Sequence, residues 1–366
     1  MKYIWEQKDW PNFFWDKNVT DPICREIAFQ LGALRGRVGV LENEESLQKE
    51  LDNLLKNILH SFEIEGENLD AHSVRSSLAK RLKINSAKKL ETKKSEGLAD
   101  LQMDVLKKSN SKMTKSRLFG WHKLLFLESE KDVAIGKWRK KETMRIVSGR
   151  LDKPKIHFEA PPHNKIEKEM KILLEWLNNP KDNTDPFVKA GIVQYWFLTI
   201  HPFEDGNGRI SRYLSELILA NYNNCCIRMY SLSSTILKKR KEYYEILEKS
   251  QKGSLDITEW LRWFLNVLLK SIQDSILQID KVIFKTRFWK KFSQLELKTE
   301  QRKILNLLLD SESEQFLEEI SAGQYGKITK VSKATSTRHL SELVSFGCLQ
   351  PNKSGGRSSS YKLKKF

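Results

Sequence analysis

A glycine-rich junction between two helical segments, residues 201–212, constrains this chain more than any other stretch. The run before it, Gly191–Ile200, is apolar and free of helix breakers, which predicts a buried helix. After it, apolar residues recur at helical spacing, which predicts a second helix. Gly206 and Gly208 let the backbone turn so that N–H groups converge where the second helix starts. Such a helix start is an anion site, because its N–H groups are unpaired and the helix dipole adds positive charge.

The side chains of the junction have the chemistry of a nucleotide phosphotransfer site. Asn207 adds an amide donor, and Arg209 and Arg212 lie on the first helical turn, where both guanidinium groups can reach phosphate oxygens. Asp205 is an oxygen ligand of the kind that Mg²⁺ uses, and His201 can take a proton near neutral pH. The alternative is an ordinary helix start with a capping Asp and solvated arginines. The crowding of all these groups into one loop and one turn favours the phosphotransfer site.

Residues 201–212 read His-Pro-Phe-Glu-Asp-Gly-Asn-Gly-Arg-Ile-Ser-Arg. The stretch resembles the Fic family signature, His-x-Phe-x-Asp/Glu-Gly-Asn-Gly-Arg-x-x-Arg, at every fixed position. The resemblance implies a protein adenylyltransferase that moves AMP from ATP, with Mg²⁺, onto a Ser, Thr or Tyr hydroxyl of a target protein. His201 would deprotonate the acceptor and Asp205 would hold Mg²⁺. The phosphate-binding residues would be Gly206, Asn207, Gly208, Arg209 and Arg212, with Phe203 as a packing anchor.

A second motif, Ser61-Phe62-Glu63-Ile64-Glu65-Gly66, closes a predicted helix over residues 42–62. Taken alone it is an acidic helix end with a glycine terminator. It is similar to the inhibitory Ser/Thr-x-x-x-Glu-Gly/Asn motif of regulated Fic proteins at each fixed position. The resemblance implies that Glu65 pairs with Arg212 and inhibits transfer, because a carboxylate on a buried guanidinium competes with a phosphate oxygen. Ser61 is the first fixed position of the motif.

Two short β-like runs, 143–150 and 155–159, flank a turn at 151–154 and predict a hairpin before Pro161-Pro162. The hairpin resembles the Fic flap, which positions a target segment by strand pairing. A purely structural hairpin is the alternative. The resemblance assigns target positioning to Ile156, His157, Phe158 and Glu159.

A predicted helix over residues 234–249 carries an adjacent tyrosine pair, Tyr243-Tyr244, and Gln251 follows it. Such a pair is usually half-buried packing. In Fic proteins an aligned tyrosine pair and a polar residue seven positions later flank adenine and ribose. Asn is also seen at the later position, and Gln offers the same amide groups with a different reach. The resemblance therefore assigns Tyr243, Tyr244 and Gln251 to nucleotide binding.

The last 68 residues, 299–366, resemble a winged helix-turn-helix. Two helices over 299–309 and 321–329 precede a third that Ser332 would cap. A turn-rich run at 352–361 follows as a candidate wing. The resemblance places Thr335, Ser336, Thr337 and Arg338 towards a DNA groove, with Lys353 and Arg357 on the wing. Protein docking is equally open, because basic side chains alone do not identify DNA.

Composition limits the partners and the compartment. The chain has 366 residues, with 64 Lys and Arg against 47 Asp and Glu and a net charge of +17. The excess favours an anionic partner such as a nucleotide or nucleic acid, although dispersed lysines also serve solubility. The four cysteines show no metal spacing, so reduced thiols and a cytoplasmic location are expected. We expect no membrane association, because no signal peptide or membrane-length apolar run is evident.

The sequence thus predicts a mainly α protein with a small β-hairpin flap. We expect four parts: 1–95, an N-terminal regulatory domain with the inhibitory helix; 96–277, the Fic catalytic core; 278–298, a linker helix; and 299–366, the winged helix-turn-helix. Three functions stay open: an auto-inhibited adenylyltransferase, an enzyme that removes AMP, and a DNA-binding regulator whose Fic site senses nucleotide. Self-modification and a homodimer are compatible with each of them.

Overall fold

The computed structural model describes residues 3–84, 91–128, 133–140, 142–150, 153–310, 319–352 and 360–364. In these residues the chain forms fourteen α-helices and two small antiparallel sheets. This confirms the mainly α class and the small β-hairpin. The chain divides into two compact units, Met1–Ile276 and Leu277–Phe366, which are described separately. No helix in the described ranges is both long and apolar enough to cross a membrane.

The first unit begins with an aromatic arm and five helices. A short 3-10 helix, Ile4–Glu6, precedes α1 (Lys17–Val38), α2 (Asn43–Ile64), α3 (Ala71–Leu82), α4 (Lys93–Lys107) and α5 (Lys115–Leu125). Helix α2 follows the apolar spacing of its sequence and buries one stripe almost completely: Leu51, Leu54, Ile58 and Phe62. That stripe fixes the position of the helix end, where the second motif lies.

The hairpin consists of β1 (Arg145–Arg150) and β2 (Lys153–Glu159), paired antiparallel with Arg145 opposite Glu159. A register shift between Ile146 and Val147 bends the first strand. The N-terminal arm holds the second strand. The Tyr3 ring packs edge-on against Phe158 at 5.2 Å, and the Trp5 Nε1–H donates to the Glu159 carbonyl at 2.8 Å. Residues 151 and 152 of the predicted turn lie outside the described residues.

Six further helices begin in the first unit, and the last of them, α11, continues past Ile276 into the second. Helices α7 and α8 pack against each other at the centre of the first unit. Their bounds are α6 (His163–Leu177), α7 (Pro186–Ile200), α8 (Asn207–Ile227), α9 (Leu232–Lys238), α10 (Arg240–Gln251) and α11 (Thr258–Lys291). The single helix predicted over 234–249 is wrong. Lys239, with φ −112° and ψ 26°, separates α9 from α10. Helix α11 continues past Leu277 to Lys291 through apolar Ile279 and Phe288, which are both fully buried.

The second unit contains α12 (Thr299–Leu309), β3 (Ile320–Ser321), α13 (Ala322–Thr329), α14 (Lys333–Ser345), β4 (Leu349–Pro351) and β5 (Ser360–Leu363). The strands are ordered β3-β5-β4 and all pair antiparallel. Ser332 caps α14 as predicted, because its side chain accepts the Thr335 N–H at 3.2 Å. The placement of Ser336 towards a groove is wrong: it is fully buried, and its hydroxyl donates to the Ser332 carbonyl. Lys353 and Arg357 lie outside the described residues.

Candidate active site

His201 ends α7 in the left-handed conformation, with φ 52° and ψ 58°. This conformation is uncommon outside glycine and turns the chain sharply out of the helix. The ring Nδ1 lies 3.3 Å from the Leu198 carbonyl oxygen. Since a carbonyl can only accept, Nδ1 carries the proton and Nε2 is the basic nitrogen. Burial lowers the pKa of His201 to about 4, so the ring is neutral at pH 7 and can accept a proton.

The turn after His201 forms the start of α8. Gly206 has φ +83°, which favours glycine, and a Cβ there would lie 2.8 Å from the Phe126 ring. The Asn207 amide bonds both backbone groups of Phe203, accepting from its N–H at 2.9 Å and donating to its carbonyl at 2.8 Å. Asn207 is 2% exposed, so in this structure its side chain shapes the loop, and its assignment to phosphate binding stays a prediction. The backbone N–H groups of the first turn of α8 are left as the anion donors.

The two motifs meet at Arg212. Its Nη2 lies 2.9 Å from Glu65 Oε1 and donates to the Ser61 carbonyl at 2.6 Å, while its Nε donates to the Ser61 hydroxyl at 2.9 Å. Arg212 is 4% exposed, and its Nη1 has no hydrogen-bond partner among the described residues. The Glu65 carboxylate also fills the space above the turn, because a Cβ on Gly208 would lie 2.0 Å from Glu65 Oε1. Glu65 therefore pairs with the guanidinium group and fills the space that a phosphate would need.

A second carboxylate of the same segment, Glu67, holds the other arginine. Glu67 Oε2 lies 2.9 Å from Arg209 Nη1, and Asp205 Oδ1 lies 3.0 Å from Arg209 Nη2. Gly66, with φ +79°, makes the turn that carries Glu65 and Glu67 past the end of α2. The Arg209 guanidinium also packs 4.7 Å from the centre of the Phe62 ring. Sequence reasoning missed Glu67, although its position two residues after Glu65 was a usable signal.

Arg139 supports the histidine and was also missed. It is fully buried, its Nε donates to the His201 carbonyl at 2.8 Å, and its backbone N–H donates to the Pro202 carbonyl at 2.9 Å. Its Nη2 donates to the Pro161 carbonyl at the end of the hairpin. Burial lowers the pKa of Arg139 to about 10, so the side chain stays cationic at pH 7. One arginine thus ties the hairpin exit to both residues at the sharp turn.

His122 is a structural residue of the site. Its ring stacks on Phe203 at 4.0 Å between ring centres. Nδ1 accepts the Gly136 N–H at 3.0 Å, so Nε2 is the protonated nitrogen and donates to the Asp205 carbonyl at 3.1 Å. Burial lowers the pKa of His122. Phe203 is fully buried, as its assignment as a packing anchor requires.

The residues assigned to adenine and ribose differ in their access to the site. Tyr244 is 39% exposed, and its hydroxyl donates to the Ile64 carbonyl at the end of α2 at 3.0 Å. Tyr243 is buried and stacks on Trp263 at 5.4 Å. Gln251 is 3% exposed, and its amide donates to the Thr199 hydroxyl at 3.2 Å. In this structure Tyr244 contacts the end of α2 that leads into Glu65, while Tyr243 and Gln251 pack inside the helical core.

The four assigned hairpin residues differ in exposure, because the register shift of the hairpin interrupts the alternation of faces along β2. Ile156 is 36% exposed, whereas Phe158 is buried. His157 Nδ1 lies 2.5 Å from Glu248 Oε2 on α10, so an ion pair or hydrogen bond fastens β2 to that helix. Arg145 Nε donates to the Glu159 carboxylate at 2.8 Å across the hairpin. Of the four assigned residues, Ile156 therefore has the exposure that a target contact needs.

The donor set fits a magnesium ion that is bound mainly through phosphates. No group of three or more His, Cys, Asp and Glu side chains in the described residues could hold a metal ion. Asp205 is the carboxylate beside the start of α8, and its side chain is 31% exposed. Mg²⁺ commonly keeps several waters and takes one or two carboxylates plus substrate phosphates. One partly exposed carboxylate beside an anion cradle meets that requirement.

Comparison with protein families assigns two parts of the chain. Residues 112–219 match the Fic/DOC family, and these residues include the hairpin, α7, the turn and the first part of α8. Residues 3–84 match a domain of unknown function, DUF4172, and these residues include α2 with Glu65 and Glu67. The two carboxylates and the two arginines thus come from different matched regions.

Individual relatives agree with the family match. The chain is 24% identical over 243 residues to the protein adenylyltransferase fic-1 of Caenorhabditis elegans, which is 65% of this chain and 44% of that protein. It is 32% identical over 110 residues to the protein adenylyltransferase Fic of Nematostella vectensis, which is 29% of this chain and 23% of that protein. The chain thus spans less than half the length of these relatives. A crystallised Fic family protein from Desulfovibrio desulfuricans shares the fold, with a TM-score of 0.52, 18% identity and coverage of 94% and 97% of the two chains.

Proposed function

Because residues 112–219 form a Fic/DOC domain, we propose that this chain transfers AMP from ATP to a hydroxyl side chain of a protein. One observation carries the proposal. A neutral histidine, a partly exposed carboxylate, a glycine turn and two buried arginines converge where α8 begins. The relatives named as protein adenylyltransferases support the same reaction.

The reaction assigns one task to each group. His201 Nε2 takes the proton of the acceptor hydroxyl while that oxygen attacks the α-phosphorus, and the bond to the bridging oxygen of the β-phosphate breaks. The backbone N–H groups at Gly206–Gly208 bind phosphate oxygens, and Arg209 and Arg212 neutralise the departing pyrophosphate. When Mg²⁺ is bound, Asp205 holds it on the phosphates and the ion lowers their negative charge. The hairpin positions the acceptor through its exposed edge.

In the conformation described here, the site is inhibited by Glu65. Its carboxylate pairs with Arg212 at 2.9 Å and occupies the space above Gly208. An incoming γ-phosphate must displace it, because one guanidinium edge cannot serve two anions. We assign residues 1–95 to regulation, 96–277 to catalysis, 278–298 to a linker helix and 299–366 to a winged helix-turn-helix. The strand order β3-β5-β4 and the preceding helices support the last assignment.

The experiment is AMP labelling with α-labelled ATP and Mg²⁺, with the protein itself as acceptor. It compares wild type, Glu65→Gly, Glu65→Gly with His201→Ala, and Glu63→Gly as a matched control from the same helix end. We expect labelling to rise about tenfold or more in Glu65→Gly. Removing the competing carboxylate should lower the free-energy barrier to transfer by about 1.4 kcal/mol or more. It should vanish in the double variant and stay at the wild-type level in Glu63→Gly.

Absence of labelling in every variant, with ATP still bound, would overturn the proposed inhibition by Glu65 of transfer to the protein itself. The chain would then be incubated with a protein that already carries AMP, and release of that AMP would be measured. Release that depends on both Glu65 and His201 would establish removal of AMP as the reaction, with Glu65 positioning the attacking water.

A further inference from the structure

Two aromatic rings contact the Arg209 guanidinium. The Arg209 Cζ lies 4.7 Å from the centre of the Phe62 ring and 5.2 Å from the centre of the Phe126 ring. Both distances are in the range of cation–π contacts, which are strongest where water is excluded. Water is excluded here, because Arg209 is 1% exposed and Phe62 is fully buried. The two rings hold the guanidinium group and leave its N–H edge for anions.

The polar contacts of Arg209 to the described part of the chain are made with two carboxylates. Glu67 Oε2 lies 2.9 Å from Nη1 and Asp205 Oδ1 lies 3.0 Å from Nη2, while Nε has no hydrogen-bond partner among the described residues. In the conformation described here, the edge of the guanidinium is therefore oriented by carboxylates and the group itself by rings.

The proposed reaction takes both carboxylates away from Arg209. A phosphate that binds the guanidinium edge displaces Glu67, and Asp205 turns to the phosphate-bound Mg²⁺. The rings do not compete with phosphate, so their contacts remain when the nucleotide is bound. Holding a flexible side chain in place before the ligand arrives lowers the entropy that binding costs. The aromatic contacts are thus the part of the arrangement that can keep Arg209 ready for phosphate.

The two rings come from different matched regions of the chain. Phe126 follows α5 within residues 112–219, whereas Phe62 lies in the last turn of α2 within residues 3–84. The Phe62 ring also has a second cation near it, since Lys94 Nζ lies 5.7 Å from its centre. That distance is close to the limit of such contacts, so Arg209 is the main cation on this ring.

We propose that Phe62 is a positioning residue for phosphate binding, because its ring keeps Arg209 in place when the carboxylates leave. The inference rests on the proposed function, in which ATP supplies the phosphate. Helix α2 and the turn after it then have two opposite effects on the site. Glu65 and Glu67 compete with phosphate, whereas Phe62 prepares the arginine that binds it.

The experiment is calorimetric titration of the full chain with ATP and Mg²⁺ in the Glu65→Gly background. It compares Glu65→Gly alone, with Phe62→Leu, with Arg209→Gln, and with both changes. Leucine keeps an apolar side chain at the buried position and removes the ring. The matched control is Phe187→Leu in the same background, which removes a ring that is 2% exposed and packs on Tyr222. Thermal melts establish that each variant is folded.

We expect Phe62→Leu to weaken ATP binding about three- to tenfold, as the loss of a buried cation–π contact predicts. In the presence of Arg209→Gln, the same change should alter the affinity less than about twofold, because two residues that act through one contact are not additive. Phe187→Leu should stay within about twofold of Glu65→Gly alone. An equal loss with and without Arg209→Gln, an equal loss in Phe187→Leu, or no loss in Phe62→Leu would each overturn the proposal.

Initial rates of AMP transfer give a second readout. Phe62→Leu should raise the KM for ATP as well as lower kcat, whereas a role in folding alone would lower the apparent kcat and leave KM unchanged. Failure of the proposed function can be told apart from failure of this proposal, because titration detects ATP without transfer. If no variant transfers AMP, the proposed function fails, and the titration still decides the role of Phe62.

Discussion

At the scale of single residues, the site depends on a histidine whose pKa lies far below its ordinary value. Burial is the main cause of the pKa of about 4, and the positive charge of Arg139 lowers it further. Neutral imidazole is the form that can act as a base, so burial keeps His201 in that form at every physiological pH. Arg139 is therefore a positioning residue with an electrostatic effect, because it holds the His201 carbonyl and also repels an added proton.

We expect the pH dependence of AMP transfer to report this arrangement. In the Glu65→Gly background, titration of His201 should cause no change in kcat between pH 6 and pH 8. The fall in kcat that His201 protonation causes should lie nearer pH 4. Adding Arg139→Gln removes the cation, so that fall should move to higher pH, whereas Arg139→Lys should leave it in place. Initial rates across a pH series measure it. A loss of rate in Arg139→Gln with an unmoved pH profile would assign Arg139 a purely structural role.

Glu67 should act as a second inhibitory carboxylate. It pairs with Arg209, which is 1% exposed, so ATP must break this contact as well as the one on Arg212. We expect Glu65→Gly with Glu67→Gln to bind ATP about three- to tenfold more tightly than Glu65→Gly alone, since a charge-assisted contact is worth roughly 1 kcal/mol here after solvent screening. Calorimetric titration with ATP and Mg²⁺ measures this difference in affinity. The control is the double variant Glu65→Gly with Glu63→Gln. Equal affinities would show that Glu67 does not compete with nucleotide.

At the scale of elements, a buried polar cluster joins α2, α4 and α8. Glu216 on α8 is 7% exposed and accepts from Asn57 Nδ2 at 2.8 Å and from Gln102 Nε2 at 2.5 Å. Asn57 is fixed in orientation, because its Oδ1 accepts the Ser233 N–H at 3.2 Å. Gln102 Oε1 has no hydrogen-bond partner among the described residues, so its amide can turn to accept a proton from Glu216. Burial raises the pKa of Glu216 to about 7.

The stability of the first unit should therefore fall as pH rises from 4.5, the ordinary pKa of a glutamate, to about 7, the pKa of Glu216 in the folded chain. Below pH 4.5, its ordinary pKa, the carboxyl is protonated whether the chain is folded or unfolded. As pH rises to 7, the unfolded chain ionises first, which lowers the free energy of unfolding by about 3 kcal/mol. Glu216→Gln should remove this loss, and so be more stable than wild type at pH 8 but not at pH 4. Urea unfolding at both pH values measures it, with Glu63→Gln as control. A wild-type-like pH dependence in Glu216→Gln would locate the effect elsewhere.

At the scale of the whole molecule, the sequence predicted what is local and missed what only folding brings together. The signature at 201–212 is contiguous, and the class of fold followed from helical spacing. Arg139 lies 62 residues before His201, and nothing in its neighbourhood marks it as buried beside that residue. Lys239 breaks a helix although it is an ordinary helix former, because α9 packs on α2 while α10 packs on β2 and the N-terminal 3-10 helix. The sequence also did not indicate that the Asn207 amide bonds both the N–H and the carbonyl of Phe203.

The apolar stripe of α2 limits how Glu65 and Glu67 could leave the two arginines. Detaching the helix would expose Leu51, Leu54, Ile58 and Phe62, at a cost of about 6–12 kcal/mol for the four together. Rotating only the turn after it, residues 65–67, breaks two ion pairs whose carboxylates are already about one quarter exposed. Ser61, which is part of the helix itself, would then keep its hydrogen bonds to Arg212. The least costly way to free both arginines is thus a change of three residues, with the helix still in place as one wall of the site.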